Sequence, residues 1–246
     1  VGKNKLAKFA EMAHFRNVFQ PSWHELHTCG FPLRGSWGTS FFGNSNPIIA
    51  ELGCGKGEYS VNLAERFPDL NFIGIDIKGA RMFTGAKFAI DRELHNVAFV
   101  RTKIENCNFL FGHSEVKEIW LTFPDPQMKN IHKRLTSTGF LKNYASFLEP
   151  GGIVHLKTDS AFLYNYTMAL ARMNNFTILQ QTSDLYASEV VDGILSIRTF
   201  YEKQWIERGI PVKYLSFRMG QGQEWLEPTE EFEKDSYRSF GRSARN

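Results

Sequence analysis

Residues 47–219 alternate short, continuous apolar runs with stretches whose apolar residues recur every three or four positions. The runs P-I-I-A-E-L-G-C, N-F-I-G-I-D-I, V-A-F-V-R-T, E-I-W-L-T-F, G-I-V-H-L-K-T, F-T-I-L-Q-Q-T and V-K-Y-L-S-F-R predict seven strands. Helices are predicted over G-E-Y-S-V-N-L-A-E-R-F, residues 80–94, 138–148 and 161–173, and T-F-Y-E-K-Q-W-I-E-R, with a short helical stretch after the third strand. Asn175 and Pro150-Gly151-Gly152 fall where the alternation needs punctuation. Strands that are apolar along their length must be covered on both faces. Their alternation with helices therefore predicts an α/β fold: a Rossmann-like, doubly wound, mostly parallel seven-stranded sheet with an antiparallel last strand.

The flanks read differently. In residues 1–46, Lys3, Lys5, Lys8 and Arg16 fall on a predicted amphipathic helix with Leu6, Phe9, Met12 and residues 15–19 as its apolar side. On position alone those lysines read as a solvated face. Residues 21–46, rich in Gly, Pro, Ser and aromatics, read as irregular, so the whole segment reads as a basic, aromatic N-terminal extension. Residues 220–246 form a charged C-terminal tail: an acidic patch (Glu224, Glu227, Glu230, Glu231, Glu233), then Arg238, Arg242 and Arg245. With few apolar residues it is expected to be mobile or loosely docked.

Composition narrows the classes. A chain of 246 residues can bury a full core, and 42% hydrophobic residues with 14% aromatics is ordinary globular content. No apolar run approaches the length that spans a bilayer, and the first residues lack the apolar core of a secretory signal. Cys29, Cys54 and Cys107 have neither zinc-site spacing nor the even count of a disulfide framework, so no metal is expected and a reducing cytoplasm is the expected setting. A formal net charge of +3 is too weak to name a polyanion-binding protein from the total. What matters is where the charge sits.

It sits beside one corner. Residues 119–133, I-W-L-T-F-P-D-P-Q-M-K-N-I-H-K, begin as a buried strand and stop on a rigid Pro-Asp-Pro turn carrying Asp125. Lys129, His132, Lys133 and Arg134 follow, with no Asp or Glu until Glu149. A carboxylate fixed at the end of a core strand and followed by an unneutralised basic loop suits chemistry on an anionic polymer. A second cluster lies at the carboxyl ends of the first two strands. Glu51-Leu52-Gly53-Cys54-Gly55-Lys56-Gly57 lets a ligand approach the main chain. Asp76 follows about 20 positions on, where an acidic residue typically accepts from ribose hydroxyls. The spacing is G-x-G-x-G preceded by a carboxylate, not the dinucleotide G-x-G-x-x-G. Glu51 beside the glycines favours a cationic adenosyl ligand, S-adenosylmethionine, over NAD.

The blocks E-L-G-C-G-K-G, G-I-D-I, L-T-F-P-D-P-Q-M-K-N-I-H-K-R-L, H-L-K-T-D and T-F-Y-E resemble, in order and spacing, the bacterial tRNA (guanine-N7-)-methyltransferases. The F-P-D-P block with its basic H-x-K-R run is the specific part. The glycine loop alone fits any class I methyltransferase. The resemblance implies the class I methyltransferase architecture, tRNA as partner, and transfer of a methyl group from S-adenosylmethionine to N7 of a guanine in the tRNA variable loop. It implies that Glu51, Gly53, Gly55, Asp76, Glu105 and Asp125 meet the cofactor, with Asp125 also catalytic. Lys129, Asp159, Thr199, Phe200, Tyr201 and Glu202 would meet the substrate, Asp159 and Glu202 accepting from the guanine edge. Ile131, His132, Lys133, Arg134, Leu135 and Thr136 would meet RNA, and the N-terminal lysines become an RNA-gripping arm.

Two departures stand out. Gln127 and Met128 replace the family's usual Trp and Pro, and Lys103 stands where a carboxylate is usual, which leaves Glu105 for that contact. Three other readings fit parts of the pattern: an NAD oxidoreductase, a non-catalytic RNA-binding protein on a methyltransferase shell, and a methyltransferase acting on another RNA or a protein. Monomer and homodimer both remain open.

Overall fold

The segments read as strands fold as strands, and an eighth joins them. The computed structural model describes residues 2–191, 193–220 and 224–238. Its strands are β1 (Val18–Phe19), β2 (Ile48–Leu52), β3 (Asn71–Ile75), β4 (Val97–Val100), β5 (Val116–Thr122), β6 (Leu148–Thr158), β7 (Thr177–Thr182) and β8 (Lys213–Arg218). Helices are α1 (Gly2–Met12), α2 (Trp23–Thr28), α3 (Glu58–Arg66), α4 (Gly79–Asp91), α5 (Cys107–Leu110), α6 (Thr138–Ala145), α7 (Ala161–Met173) and α8 (Phe200–Glu207).

The sheet order is β1-β4-β3-β2-β5-β6-β8-β7. All pairs up to β6 are parallel, and β8 lies antiparallel between β6 and β7. Each face carries its own apolar cluster. One is built around Trp37, Phe111, Tyr144 and Tyr166, the other around Tyr59, Met82, Phe99, Trp120 and Tyr214. β2, β3 and β4 are buried at every position, and burial on both faces is why they are apolar everywhere except Glu51 and Asn71.

The eighth strand corrects the seven expected, and it comes from the N-terminal extension. α1 stops at Met12, and Val18–Phe19 pairs with β4, Phe99 N–H donating to Asn17 O and Arg101 N–H to Phe19 O, both at 2.8 Å. The stretch expected to be irregular contains α2 and a π-helical turn at Trp37–Phe42. Trp37 is fully buried, edge-on to Phe19 and Phe41, and its indole N–H donates to Leu110 O at 3.0 Å. The extension is thus part of the core. Lys8 Nζ lies 5.2 Å from the Phe83 ring centroid on α4.

The tail also departs from expectation. Glu227 accepts from the Thr138 N–H and hydroxyl at the start of α6 (both 2.8 Å) and from the Tyr166 hydroxyl. Asp235 accepts from the Ser160 hydroxyl and from Phe162 N–H at the start of α7. Carboxylates there satisfy amides that begin a helix and meet its positive end. Trp225 packs edge-on against Phe176, and Phe232 against Phe162 and Tyr166. Residues 224–238 are therefore docked across α6 and α7. Arg242 and Arg245 lie outside the described residues, as do the side chains of Lys3, Lys5 and Arg238. Among the described residues no helix is long and apolar enough to cross a membrane.

Candidate active site

In an open parallel sheet the ligand crevice opens where strand order reverses, at the carboxyl ends of the strands. Here that point lies between β2 and β5, since β2 pairs with β3 on one side and β5 on the other. A cleft of about 360 Å³ opens there. Its floor is the turn from β2 to α3. Gly55, at φ +58°, turns its amide to Asp76 Oδ2 at 2.9 Å. Gly57, at φ +72°, passes so close to the sheet that a Cβ would stand 2.5 Å from the Phe99 ring. Both positions need glycine.

Four carboxylates border the cleft, Glu58 at the start of α3 and three others at different depths. Glu51, at the end of β2, is buried, with only 4% exposed. Ser60 donates to it through its amide (3.0 Å) and hydroxyl (2.5 Å), and Thr122 through its hydroxyl (2.5 Å). Burial pushes its carboxyl up to about 7, outweighing these donors, and nearby Asp76 adds to the rise. Among the described residues Glu51 forms no ion pair, and a buried carboxylate so placed is suited to receive a positively charged ligand. Asp76, half-buried after β3, accepts from Gly55 N–H and from Lys78 N–H at 2.7 Å. Lone pairs remain on both oxygens for ligand hydroxyls.

Asp125 is the third, and it is exposed on the rim of the same cleft. Its corner is held in an unusual backbone. Phe123 and Gln127 have φ of 51° and 48°, left-handed values that non-glycine residues avoid. Such conformations persist only where the surroundings impose them, and they concentrate at functional sites. The imposing contacts are visible. Phe123 N–H donates to Lys157 O at 2.8 Å, and Gln127 N–H to Asp125 Oδ1 at 3.2 Å. Arg134 closes the corner, its Nε donating to Pro126 O at 3.2 Å and its Nη2 to Gln127 O at 3.1 Å.

Comparisons with known proteins now bear on this geometry. Residues 45–215 match the family model described as a putative methyltransferase. A protein of Bacteroides thetaiotaomicron named tRNA (guanine-N(7)-)-methyltransferase is 51% identical over 246 residues, covering 100% of this chain and 98% of its own. One of the same name from Porphyromonas gingivalis is 54% identical over 239 residues, covering 96% and 98%. The chain belongs to the tRNA (guanine-N7-)-methyltransferase family. Among solved structures, the 16S rRNA methyltransferase KamB aligns with TM-score 0.57 at 13% identity, covering 74% of this chain and 91% of that one. The 16S rRNA (adenine(1408)-N(1))-methyltransferase from Catenulisporales acidiphilia aligns with TM-score 0.54 at 13% identity, covering 75% and 93%. At that identity the likeness is one of fold, and the fold is the class I methyltransferase sheet.

Not every residue implied by the tRNA (guanine-N7-)-methyltransferase pattern reaches the cleft. Glu51, Gly53, Gly55, Asp76, Asp125, Lys133, Leu135, Thr199 and Tyr201 line it. Lys129 and His132 are exposed near its rim, on and beside the turn Ile131–Lys133. Phe200, 44% exposed, lies under Lys56 Nζ at 3.6 Å from its ring centroid and donates its amide to Glu58 at 3.0 Å.

Five do not take the expected place. Glu202 is fully buried, in an ion pair with buried Lys157 at 2.8 Å, and it accepts from the Tyr186 hydroxyl at 2.5 Å. It also completes a capping box with Thr199 at the start of α8. Asp159 is fully buried and accepts from the Tyr237 hydroxyl at 2.9 Å. Neither side chain lines the cleft. Glu105 is exposed outside the cleft, and the lining residue of its turn is Ile104. Of the run 131–136, Arg134 is 5% exposed and Thr136 fully buried, the latter accepting from the Thr167 hydroxyl at 2.8 Å. Those two are interior supports, not surface contacts.

Sequence reasoning missed Lys78 and Arg81, which line the cleft together with Lys56 of the glycine turn. The signal was faint: they lie two and five residues beyond Asp76, where a helix face is equally expected. Arg81 lies over the Tyr201 ring at 5.5 Å.

Proposed function

We propose that this protein transfers a methyl group from S-adenosylmethionine to N7 of a guanine in the tRNA variable loop. The observation that carries this reading is the place of Asp125: it stands on the rim of the cleft that Glu51 and Asp76 border, and an uncompensated basic surface begins beside it.

The residues fit the cofactor. Glu51, buried and held by three donors, offers negative charge to the sulfonium and amino groups. Asp76 accepts from the ribose hydroxyls, and Gly53 and Gly55 give the main chain room beside them. Ile104 supplies an apolar wall toward the purine, where neither Lys103 nor Glu105 reaches in. S-adenosylmethionine, when bound, supplies an electrophilic methyl on a positively charged sulfur.

Guanine N7 carries an unprotonated lone pair at neutral pH, so no residue has to remove a proton to create the nucleophile. What the chain contributes is alignment of N7 with the methyl–sulfur bond. As transfer proceeds, positive charge passes to the purine, and Asp125 on the rim stabilises it electrostatically. Thr199 receives the Glu202 amide at 3.3 Å, which leaves its hydroxyl hydrogen to donate to guanine O6. Glu202 supports Thr199 from behind through their capping box. His132 serves as an RNA contact, since the reaction requires no base.

The nucleic acid is held by charge. Lys129, His132 and Lys133 stand on one lip, and Lys56, Lys78 and Arg81 on the other. Among the described residues none of these six forms an ion pair with a carboxylate. Lys56 and Arg81 instead face aromatic rings, which orient a cation without neutralising it. The tRNA backbone crosses the mouth with phosphates on both lips while the guanine enters between them.

The test is direct. The protein is incubated with unmodified tRNA and labelled S-adenosylmethionine, the RNA is digested and the labelled nucleoside identified. 7-Methylguanosine is expected. Label in any other nucleoside, or none with intact protein, refutes the reading.

A further inference from the structure

Arg134 belongs to a basic run, and its charge alone suggests a phosphate contact. Its surroundings assign it elsewhere. The side chain is 5% exposed, and its guanidinium bonds two consecutive carbonyls, Pro126 O and Gln127 O, on the far side of the Asp125 corner. Its charge is flanked by the Tyr166 and Phe162 rings, at 4.0 and 4.8 Å. A planar fork that donates twice in one plane while its faces rest on rings is a task for arginine, and lysine cannot reproduce it.

The rings are themselves held by the C-terminal segment. The Tyr166 hydroxyl donates to Glu227, and Phe162 receives Phe232 edge-on and donates its amide to Asp235 at 3.2 Å. An unbroken series of contacts therefore leads from residues 225–235 through α7 to Arg134, and from there to the carbonyls beside Asp125. Gln127, whose carbonyl Arg134 holds, is the residue whose left-handed backbone returns an amide to Asp125 Oδ1.

We propose that Arg134 is a positioning residue for methyl transfer, and that residues 225–235 act through it as a strap fixing the direction of the Asp125 carboxylate. The proposal rests on the reading of Asp125 given above. The cost of a loosened corner is kinetic: displacing a transition-state carboxylate by about 1 Å lowers turnover by up to about a hundredfold and leaves ground-state binding nearly untouched.

The experiment measures kcat, S-adenosylmethionine affinity and tRNA affinity across salt for Arg134→Lys, alone and in an Asp125→Ala background. Arg134→Lys is expected to lower kcat at least about tenfold, with both affinities and the salt slope unchanged. In the Asp125→Ala background the same substitution should change kcat by less than about twofold, because the group it positions is gone. A fall in tRNA affinity with unchanged kcat makes Arg134 an RNA contact and overturns the proposal. An equal loss with and without Asp125, or no loss in either, also overturns it. Tyr166→Phe keeps the ring and removes only the bond to Glu227, so it reads the strap should Arg134→Lys fold poorly. A kcat reduction of about threefold or more that vanishes in Asp125→Ala is expected, and unchanged kcat refutes the strap. Absence of 7-methylguanosine from the unaltered protein is a separate result, counting against the reading of function.

Discussion

Glu51 Oε1 accepts a 2.5 Å hydrogen bond from the Thr122 hydroxyl, joining the ends of β2 and β5 where the order of strands reverses. The bond ties the innermost carboxylate of the cleft to the strand that leads into Asp125. It also sets up a conflict, because three donors favour the ionised form while burial opposes it and prevails.

A pH dependence follows. The folded carboxyl titrates at about 7 against an ordinary value of 4.5, so between those values the folded chain holds a proton that the unfolded chain has released. Stability of the ligand-free protein should therefore fall as pH rises through that window, by about 3 kcal/mol in all. Chemical denaturation at several pH values reads the slope, and Glu51→Gln should flatten it. Cofactor binding runs the other way. A cationic ligand favours ionised Glu51, so affinity should rise between about pH 6 and pH 8, with proton release visible by calorimetry in two buffers. An affinity indifferent to pH would place Glu51 away from the cofactor's charge.

Asp125→Ala should lower kcat by about a hundredfold, since a charge acting chiefly in the transition state is lost. The tRNA dissociation constant should stay within about twofold, because the carboxylate meets no phosphate. Asp125→Asn, which keeps the shape and hydrogen-bonding reach, should fall nearly as far. Single-turnover methylation beside equilibrium tRNA binding separates the two quantities. Equal losses in both would make the residue a turn former and nothing more.

Much of this arrangement was legible in the chain, and what was not has physical causes. Continuous apolar strands alternating with helices made the parallel sheet readable, and α7 begins and ends where periodicity places it. The Pro-Asp-Pro corner announced itself because proline restricts its own backbone and that of its predecessor. β1 was hidden because a two-residue strand has no pattern of its own and exists through its pairing with Phe99 and Val100. The tail looked mobile because its charged residues outnumber its apolar ones, yet Glu227 and Asp235 owe their role to helix starts distant in sequence. Arg134 was read from its basic run as a surface contact, and the family resemblance implied substrate contacts for Asp159 and Glu202. Their burial depends on Tyr166, Tyr237 and Lys157, partners no local window contains.

Glu202 offers a test of that last distinction. Glu202→Gln removes the carboxylate that pairs at 2.8 Å with the buried Lys157 ammonium, which also donates to the Leu195 and Ile197 carbonyls, both at 2.9 Å. Breaking one side of a fully buried pair should cost about 3 kcal/mol of stability. Denaturant unfolding followed through tryptophan fluorescence measures it. A residue that only met the guanine would lose kcat/KM while the unfolding midpoint stayed in place.

The second basic lip gives a prediction of another kind. Lys56→Ala and Arg81→Ala each remove one cation from the mouth without touching Asp125, so each should weaken tRNA binding and lessen the dependence of log K on log salt by about one unit. The rings they face, Phe200 and Tyr201, touch edge-on at 5.5 Å between centroids, so the double substitution should show coupling in binding free energy. Cofactor affinity measured without RNA should be unchanged. Filter binding over a series of potassium chloride concentrations gives the slopes, and titration of the RNA-free protein gives the control. If the slope holds while cofactor affinity drops, these cations serve the methionine carboxylate, and the phosphates of the RNA cross the cleft on the Lys129–Lys133 side alone.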